Sequence, residues 1–223
     1  MIKFYYNLAP NPMKVALFLE EAGLEYDPVS IDSRKGEQFA PDFLALNPNA
    51  KLPVIVDGDS VVFDSNAILL YLAERTGRFN VAPDDARRGA LLSWLMFIAT
   101  GLGPFSGQYV HFNHFAPEPK DYAVKRYAFE ADRHWRVIDD RLAAHHFMLG
   151  DEYTLVDMAL WGWTRTLPFV FGADAARYAN VARLVSEIDA RPAAIRAMAL
   201  KERHAFKTEM DDDARRHMFR HTA

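Results

Sequence analysis

The chain has 223 residues and no cysteine. That absence excludes disulfide scaffolds, thiolate zinc sites, iron–sulfur clusters and a protein thiol as nucleophile. Any sulfur chemistry must use sulfur from a bound molecule. Charge of one sign is also scarce, with 26 basic against 30 acidic side chains and a net charge of −4, so no broad positive field exists to collect phosphates. Nucleic acid is not an expected partner. No apolar run approaches the roughly 18 residues of a membrane span, and Met1 leads straight into Ile2-Lys3-Phe4-Tyr5-Tyr6 without a basic stretch and apolar leader core. The expectation is a cytoplasmic protein with no membrane partner. Repeats and low-complexity tracts are missing too. What the chain does have is a 50% apolar and 13% aromatic composition, enough to bury a sizeable core in one large domain or two small ones.

The first 77 residues alternate between two hydrophobic periods. Ile2 to Tyr6 reads as a buried strand, and Val15, Phe18, Leu19 and Ala22 then recur at the spacing of one helix face. Asn11 as N-cap, Pro12 at the first helical position and Gly23 at the end bound that helix. Tyr26 to Ile31 offers a second strand, and a helical link makes the pair parallel. A short helical piece is expected near Glu37 to Leu46. Val54-Ile55-Val56 and Val61-Val62-Phe63 flank Asp57-Gly58-Asp59-Ser60, a hairpin signal. Ser65 can cap a last helix carrying Ile68, Leu69, Leu72 and Ala73 and closed by Gly77. The predicted order is β-α-β-α-β-β-α.

From about Asp84 the pattern is helical only. Tyr127, Ala131, Trp135, Ile138 and Leu142 keep one stripe over four turns, and Gly101, Gly103, Pro104 and Gly107 are read as breaking or bending the helix before it. Thr154-Leu155-Val156-Asp157 has the form of a capping box. The expected organisation is an α/β domain over 1–77, a linker over 78–83 and an all-α domain over 84–223. The tail from Lys201 to Ala223 is dense in charge and reads as a solvated helix with a frayed end.

Three local features of the first domain can share one sheet edge. Asn11 stands at the start of the first helix. Leu52-Pro53 stands at the entrance of the third strand, where a cis peptide would turn the Leu52 N–H and C=O outward to pair with an extended peptide. Asp64-Ser65 opens the third helix, where a hydroxyl and helix-terminal amides suit a carboxylate. A small acidic peptide fits that inventory.

The element order, Lys51-Leu52-Pro53, Phe63-Asp64-Ser65-Asn66-Ala67-Ile68, the helical second domain and Thr154-Leu155-Val156-Asp157 resemble a cytosolic glutathione transferase, with a thioredoxin-like first domain, over nearly the whole chain. Pro10-Asn11 followed by Lys14, Lys35-Gly36-Glu37-Gln38-Phe39, Pro41-Asp42-Phe43-Leu44 and Ala67 to Gly77 resemble the bacterial nu class, some members of which reduce disulfides with glutathione. The resemblance implies glutathione as cosubstrate. Leu52, beside Pro53, would hold the cysteinyl part, Asp64 and Ser65 the γ-glutamyl end, and Gln38 and Lys51 the glycyl end or its surroundings. Asn11 would lie near the sulfur as the catalytic donor. A free thiol has a pKa of about 8.5, and lowering it by about two pKa units takes roughly 2.7 kcal/mol, within reach of a charge-assisted hydrogen bond plus a helix N-terminus. One departure matters. Related enzymes place a Ser or Thr hydroxyl where this chain has Ala9.

Each candidate has a plainer reading. Asn11 also reads as a helix cap, and both roles can coexist; Tyr5, the alternative thiol activator by analogy with other classes, reads first as a core or rim aromatic; Ser65 also reads as a cap, in a geometry that makes it an anion site as well. His111 with His114, and His145 with His146, lack a third ligand and read as solvated or packed, so no metal is expected. Arg126 and Arg133 resemble positions that in this branch reach a second glutathione or the cleft, though an ion pair is the commoner fate of an Arg. Trp161, Trp163 and Phe169 to Phe171 read as core. The expectation is therefore a glutathione transferase-like enzyme acting on a small electrophile or disulfide, dimeric by resemblance. Its alternative is a catalytically weak glutathione-binding or regulatory protein.

Overall fold

A computed structural model describes residues 1–118 and 120–220, and these form two compact units: 1–76 with 192–220, and 77–118 with 120–191. In the first unit, β1 (Ile2–Tyr6), α1 (Pro10–Ala22), β2 (Tyr26–Ser30), α2 (Pro41–Leu46), β3 (Val54–Asp57), β4 (Ser60–Phe63) and α3 (Ser65–Thr76) follow the expected order. The sheet runs β2-β1-β3-β4, with β1 parallel to β2 and antiparallel to β3, and β3 antiparallel to β4. On β1, Ile2, Phe4 and Tyr6 are buried and Lys3 is exposed, the period-two signature of a strand with one face in the core. Val15, Phe18 and Leu19 of α1 and Ile68, Leu69 and Leu72 of α3 are fully buried. Gly23 ends α1 at φ +65°, a left-handed cap that glycine adopts without steric cost. The β3–β4 turn is two residues, Gly58-Asp59.

The second unit holds α4 (Arg88–Phe97), α5 (Gly103–Val110), α6 (Asp121–Ala144), α7 (Leu155–Thr164), α8 (Leu167–Phe171) and α9 (Ala179–Asp189). Gly101, Gly103, Pro104 and Gly107 do not end the helix before α6. They sit in a continuous helical run, Arg88–Phe115, that widens into π-type turns at Ile98–Leu102 and His111–Phe115. A Cβ at Gly101 would collide with the buried His134 ring of α6, so the glycine permits the close approach. At 28 residues this run is long and apolar enough to cross a bilayer by length and composition only. It buries Leu91, Leu95, Ile98 and Leu102, as a core helix does, and Trp135 of α6 donates to Ser106 of α5 at 3.0 Å. Ala131, Trp135, Ile138 and Leu142 are buried as the stripe predicts. Trp161 is buried and donates to Asp189 at 2.7 Å, but Phe169 is half-exposed and stacks on His114 instead of entering the core.

Asp157 completes the box at the start of α7. One oxygen accepts from Thr154 N and the other from Met148 N, both at 2.8 Å. Burial pushes its carboxyl up to about 6 against the pull of those amides.

The tail departs from a solvated helix. The second domain was expected to run to the end of the chain, whereas α10 (Pro192–Met198), α11 (Leu200–Arg203), an extended stretch and α12 (Asp212–Met218) all pack with the sheet unit. Asp32, buried at the end of β2, accepts from Lys207 N at 2.7 Å; Arg34 donates to Lys207 O at 2.7 Å. Tyr6 Oη pairs with His204 Nδ1 at 2.9 Å. Arg196 of α10 grips Glu20 of α1 at 2.6 Å.

Candidate functional site

Strand direction gathers the three features on one edge. β1 and β4 end there and β3 begins there, and Tyr5, Val54 and Phe63 form one cross-strand row. The loop into α1, the Leu52-Pro53 peptide and the start of α3 all leave from that row.

At the first position, α1 begins earlier than the sequence suggested. Ala9 is the N-cap and has no side-chain cap, Pro10 occupies the first turn, and Asn11 lies inside it, half-buried. Asn11 is therefore not the cap. The turn before the helix is built by Asn7, whose Oδ1 accepts from Ala9 N and whose Nδ2 donates to Ser33 Oγ, both at 3.0 Å. Tyr5 is half-buried, its ring 6.0 Å from that of Phe43.

The Leu52-Pro53 peptide is cis. Pro53 is buried, Leu52 is half-buried and, among the described residues, none bonds the Leu52 N–H or C=O. The loop before it is held by buried Asn47, which donates to Lys51 O at 2.8 Å and accepts from Asn49 N at 3.0 Å. Asn47 escaped the sequence reading, although Asn-Pro-Asn is an Asx-turn signal. Lys51 is exposed.

At the third position Asp64, not Ser65, caps α3. Its φ is +71°, and Oδ1 accepts from Asn66 N at 2.9 Å and Ala67 N at 3.1 Å. Those two amides, expected to face an anion, are occupied. Ser65 keeps its hydroxyl and its own N–H for that role, and exposed Asp64 keeps Oδ2. A carboxylate acceptor beside a hydroxyl and amide donor is complementary to an amino-acid terminus, ammonium to Asp64 and carboxylate to Ser65.

Lys14 lies under this pair. It is 1% exposed, and its Nζ donates to Ser65 Oγ at 3.3 Å and Asn66 Oδ1 at 3.5 Å. Burial pulls the ammonium down to about 7, with Asp64 opposing. The sequence reading noted Lys14 only as part of a motif, since a lysine is ordinarily solvated; its place on the Val15–Leu19 helix was the one available signal.

Gln38 is buried, its Nε2 donating to Ser33 O at 3.3 Å and its Oε1 without a protein partner. Arg133 belongs to the second unit and bonds Glu130 at 2.9 Å, as Arg126 does from the other side of the same carboxylate at 2.5 Å. The arginines hold the Glu130 carboxyl below its usual range. Among the described residues no cluster of three potential metal ligands forms, and His146 pairs with Glu187 at 2.9 Å.

A thioredoxin-like sheet unit with an open edge, joined to a helical unit, defines the glutathione transferase architecture. Residues 2–74 match the family model for the glutathione S-transferase N-terminal domain. The chain is 41% identical over 209 residues to the disulfide-bond oxidoreductase YfcG of Escherichia coli, covering 89% of this chain and 94% of that one. A solved glutathione transferase family member from Pseudomonas fluorescens, with two glutathione bound, superposes at a TM-score of 0.84 with 34% identity, covering 88% and 92%. Another from Pseudomonas putida, with one glutathione disulfide bound per subunit, gives 0.82 and 32%, covering 88% and 90%. The chain belongs to the glutathione transferase family, and its relatives include disulfide-bond oxidoreductases.

Proposed function

We propose that this chain binds reduced glutathione along the Tyr5–Val54–Phe63 edge and activates its thiol for conjugation to a small electrophile or for reduction of a disulfide. The observation that carries this reading is the pairing of a free backbone edge at Leu52 with an amino-acid-terminus site at Asp64 and Ser65. The cysteinyl main chain would bond Leu52 as an added antiparallel strand segment, and the γ-glutamyl end would dock on α3. Asn11, at the positive end of α1, would donate to the thiolate. Lys51 would meet the glycyl carboxylate, and Gln38, whose Oε1 is an unused acceptor, the glycyl N–H.

With no cysteine in the chain, the protein orients and ionises rather than attacks. In the reductive reaction a glutathione thiolate attacks a disulfide sulfur, forms a mixed disulfide and expels the first thiolate. A second glutathione thiolate attacks the glutathione sulfur of that mixed disulfide, releasing the second thiolate and glutathione disulfide. A homodimer fits this reading, since β4 is an edge strand with Val61 and Phe63 half-exposed.

Ala9 supports the second reading, a glutathione-binding or regulatory protein of weak catalysis, because the N-cap offers no hydroxyl to the sulfur. Titration calorimetry with glutathione, alongside rates with a chloronitrobenzene and a mixed disulfide, separates the two. Binding with turnover above the uncatalysed rate supports the enzyme, binding without turnover the regulator, and no binding removes both.

A further inference from the structure

We propose that Lys14 is a positioning residue of the γ-glutamyl site, fixing the Ser65 hydroxyl as a donor and supplying the counter-charge to the ligand's α-carboxylate. The proposal rests on the glutathione reading above and deepens it. An ammonium has three donors and no acceptor. Because Nζ donates to Ser65 Oγ, that oxygen spends a lone pair inward and its own proton is left to give outward. The second donor is tied to Asn66 Oδ1, so both partners of Lys14 lie on the first turn of α3, the turn that receives the ligand.

A purely structural role accounts poorly for this lysine. A buried ammonium is costly unless a carboxylate compensates it, and among the described residues none lies within ion-pair distance of Nζ. Among the described residues Asp64 is the one charged group that acts on it, and one Asp64 oxygen is committed to capping α3. Burial accordingly depresses the ammonium to about 7. A carboxylate accepting from Ser65 would stand about 5–6 Å from Nζ, by the length of two hydrogen bonds sharing one oxygen. At an effective dielectric of about 20 that attraction alone is worth about a hundredfold or somewhat more in affinity, and the opposing Asp64 carboxylate lowers the expected gain to ten- to a hundredfold.

The test compares glutathione with the peptide in which 4-aminobutyrate replaces the γ-glutamyl residue, which removes only the α-carboxylate. Calorimetry on the wild type is expected to show glutathione bound ten- to a hundredfold tighter. In Lys14→Met that gap is expected to shrink at least about tenfold, to what the Ser65 hydroxyl and amide supply alone, while the decarboxylated peptide keeps its affinity. An undiminished gap in the variant, or an equal loss for both peptides, overturns the assignment to Lys14 and leaves the glutathione reading standing. If wild type binds neither peptide, both readings fall. Should Lys14→Met not fold, proton uptake by wild type near pH 8 decides, measured in buffers of different ionisation enthalpy. Glutathione is expected to bring in at least about half a proton more than the decarboxylated peptide, as Lys14 recharges beside the bound α-carboxylate. Equal uptake overturns the proposal.

Discussion

In the ligand-free protein, Lys14→Met is expected to raise stability, by an amount that depends on pH in one direction only. Lys14 is 1% exposed, and burial takes its ammonium from an ordinary 10.5 down to about 7. At about 1.36 kcal/mol per pKa unit, that depression corresponds to at most about 5 kcal/mol against the folded state. The variant also loses two hydrogen bonds, to Ser65 and Asn66, worth about 1 kcal/mol each, so a net gain of about 3 kcal/mol remains. Below about pH 7 the folded and unfolded chains both hold the proton, and the burial cost is complete. Between about pH 7 and 10.5 the unfolded chain keeps a proton that the folded chain has released, so wild-type stability climbs with pH and the variant's advantage shrinks. Above that window both are neutral and the advantage is gone. Urea unfolding of both proteins near pH 6, 8 and 9.5 measures the difference. An advantage that is flat across this range, or grows with pH, refutes the view of Lys14 as a buried, uncompensated cation.

Other expected outcomes test separate parts of the structure. Asn11→Ala is expected to raise the pKa of a bound glutathione thiol by about 1–2, the worth of one hydrogen bond to a charged group, and an unchanged ultraviolet thiolate titration rejects its role as donor. Asp157→Ala leaves the Met148 and Thr154 amides buried without their acceptor and is expected to cost about 3–5 kcal/mol in urea unfolding; a loss below 1 kcal/mol contradicts the capping account. Asp32→Ala removes the acceptor of the Lys207 amide, so hydrogen exchange there is expected to accelerate at least tenfold, and unchanged protection shows that the tail is held by other contacts.

The order of the first seven elements was legible because each has a clean period. The alternation of Ile2, Phe4 and Tyr6 and the helical repeat of Val15, Phe18 and Leu19 describe residues that are in fact buried. The capping box at Thr154 was equally plain, its partners being three residues apart. Helix starts were less so. Asn11-Pro12 resembles a cap followed by the first helical residue, but Pro10 fits that position as well, and the Asn7 turn selects it. Asp64 and Ser65 are adjacent residues of equal capping ability, and only the positive φ at Asp64 decides between them. Lys14 and the tail were not legible. Their partners are 51 residues away at Ser65 and 175 away at Asp32, and no local pattern encodes contacts of that range.

The docking of α10, α11 and α12 makes the sheet unit discontinuous in sequence: the helical unit is an insertion between its two pieces. A fragment ending at Gly77 would strip the Arg196 clasp from α1, the His204 partner from Tyr6 and the backbone cover from Asp32. Chimeras with a relative should therefore exchange 77–191 as a cassette, keeping both ends of the chain from one parent. A single crossover near residue 77 would divide the sheet unit between two ancestries.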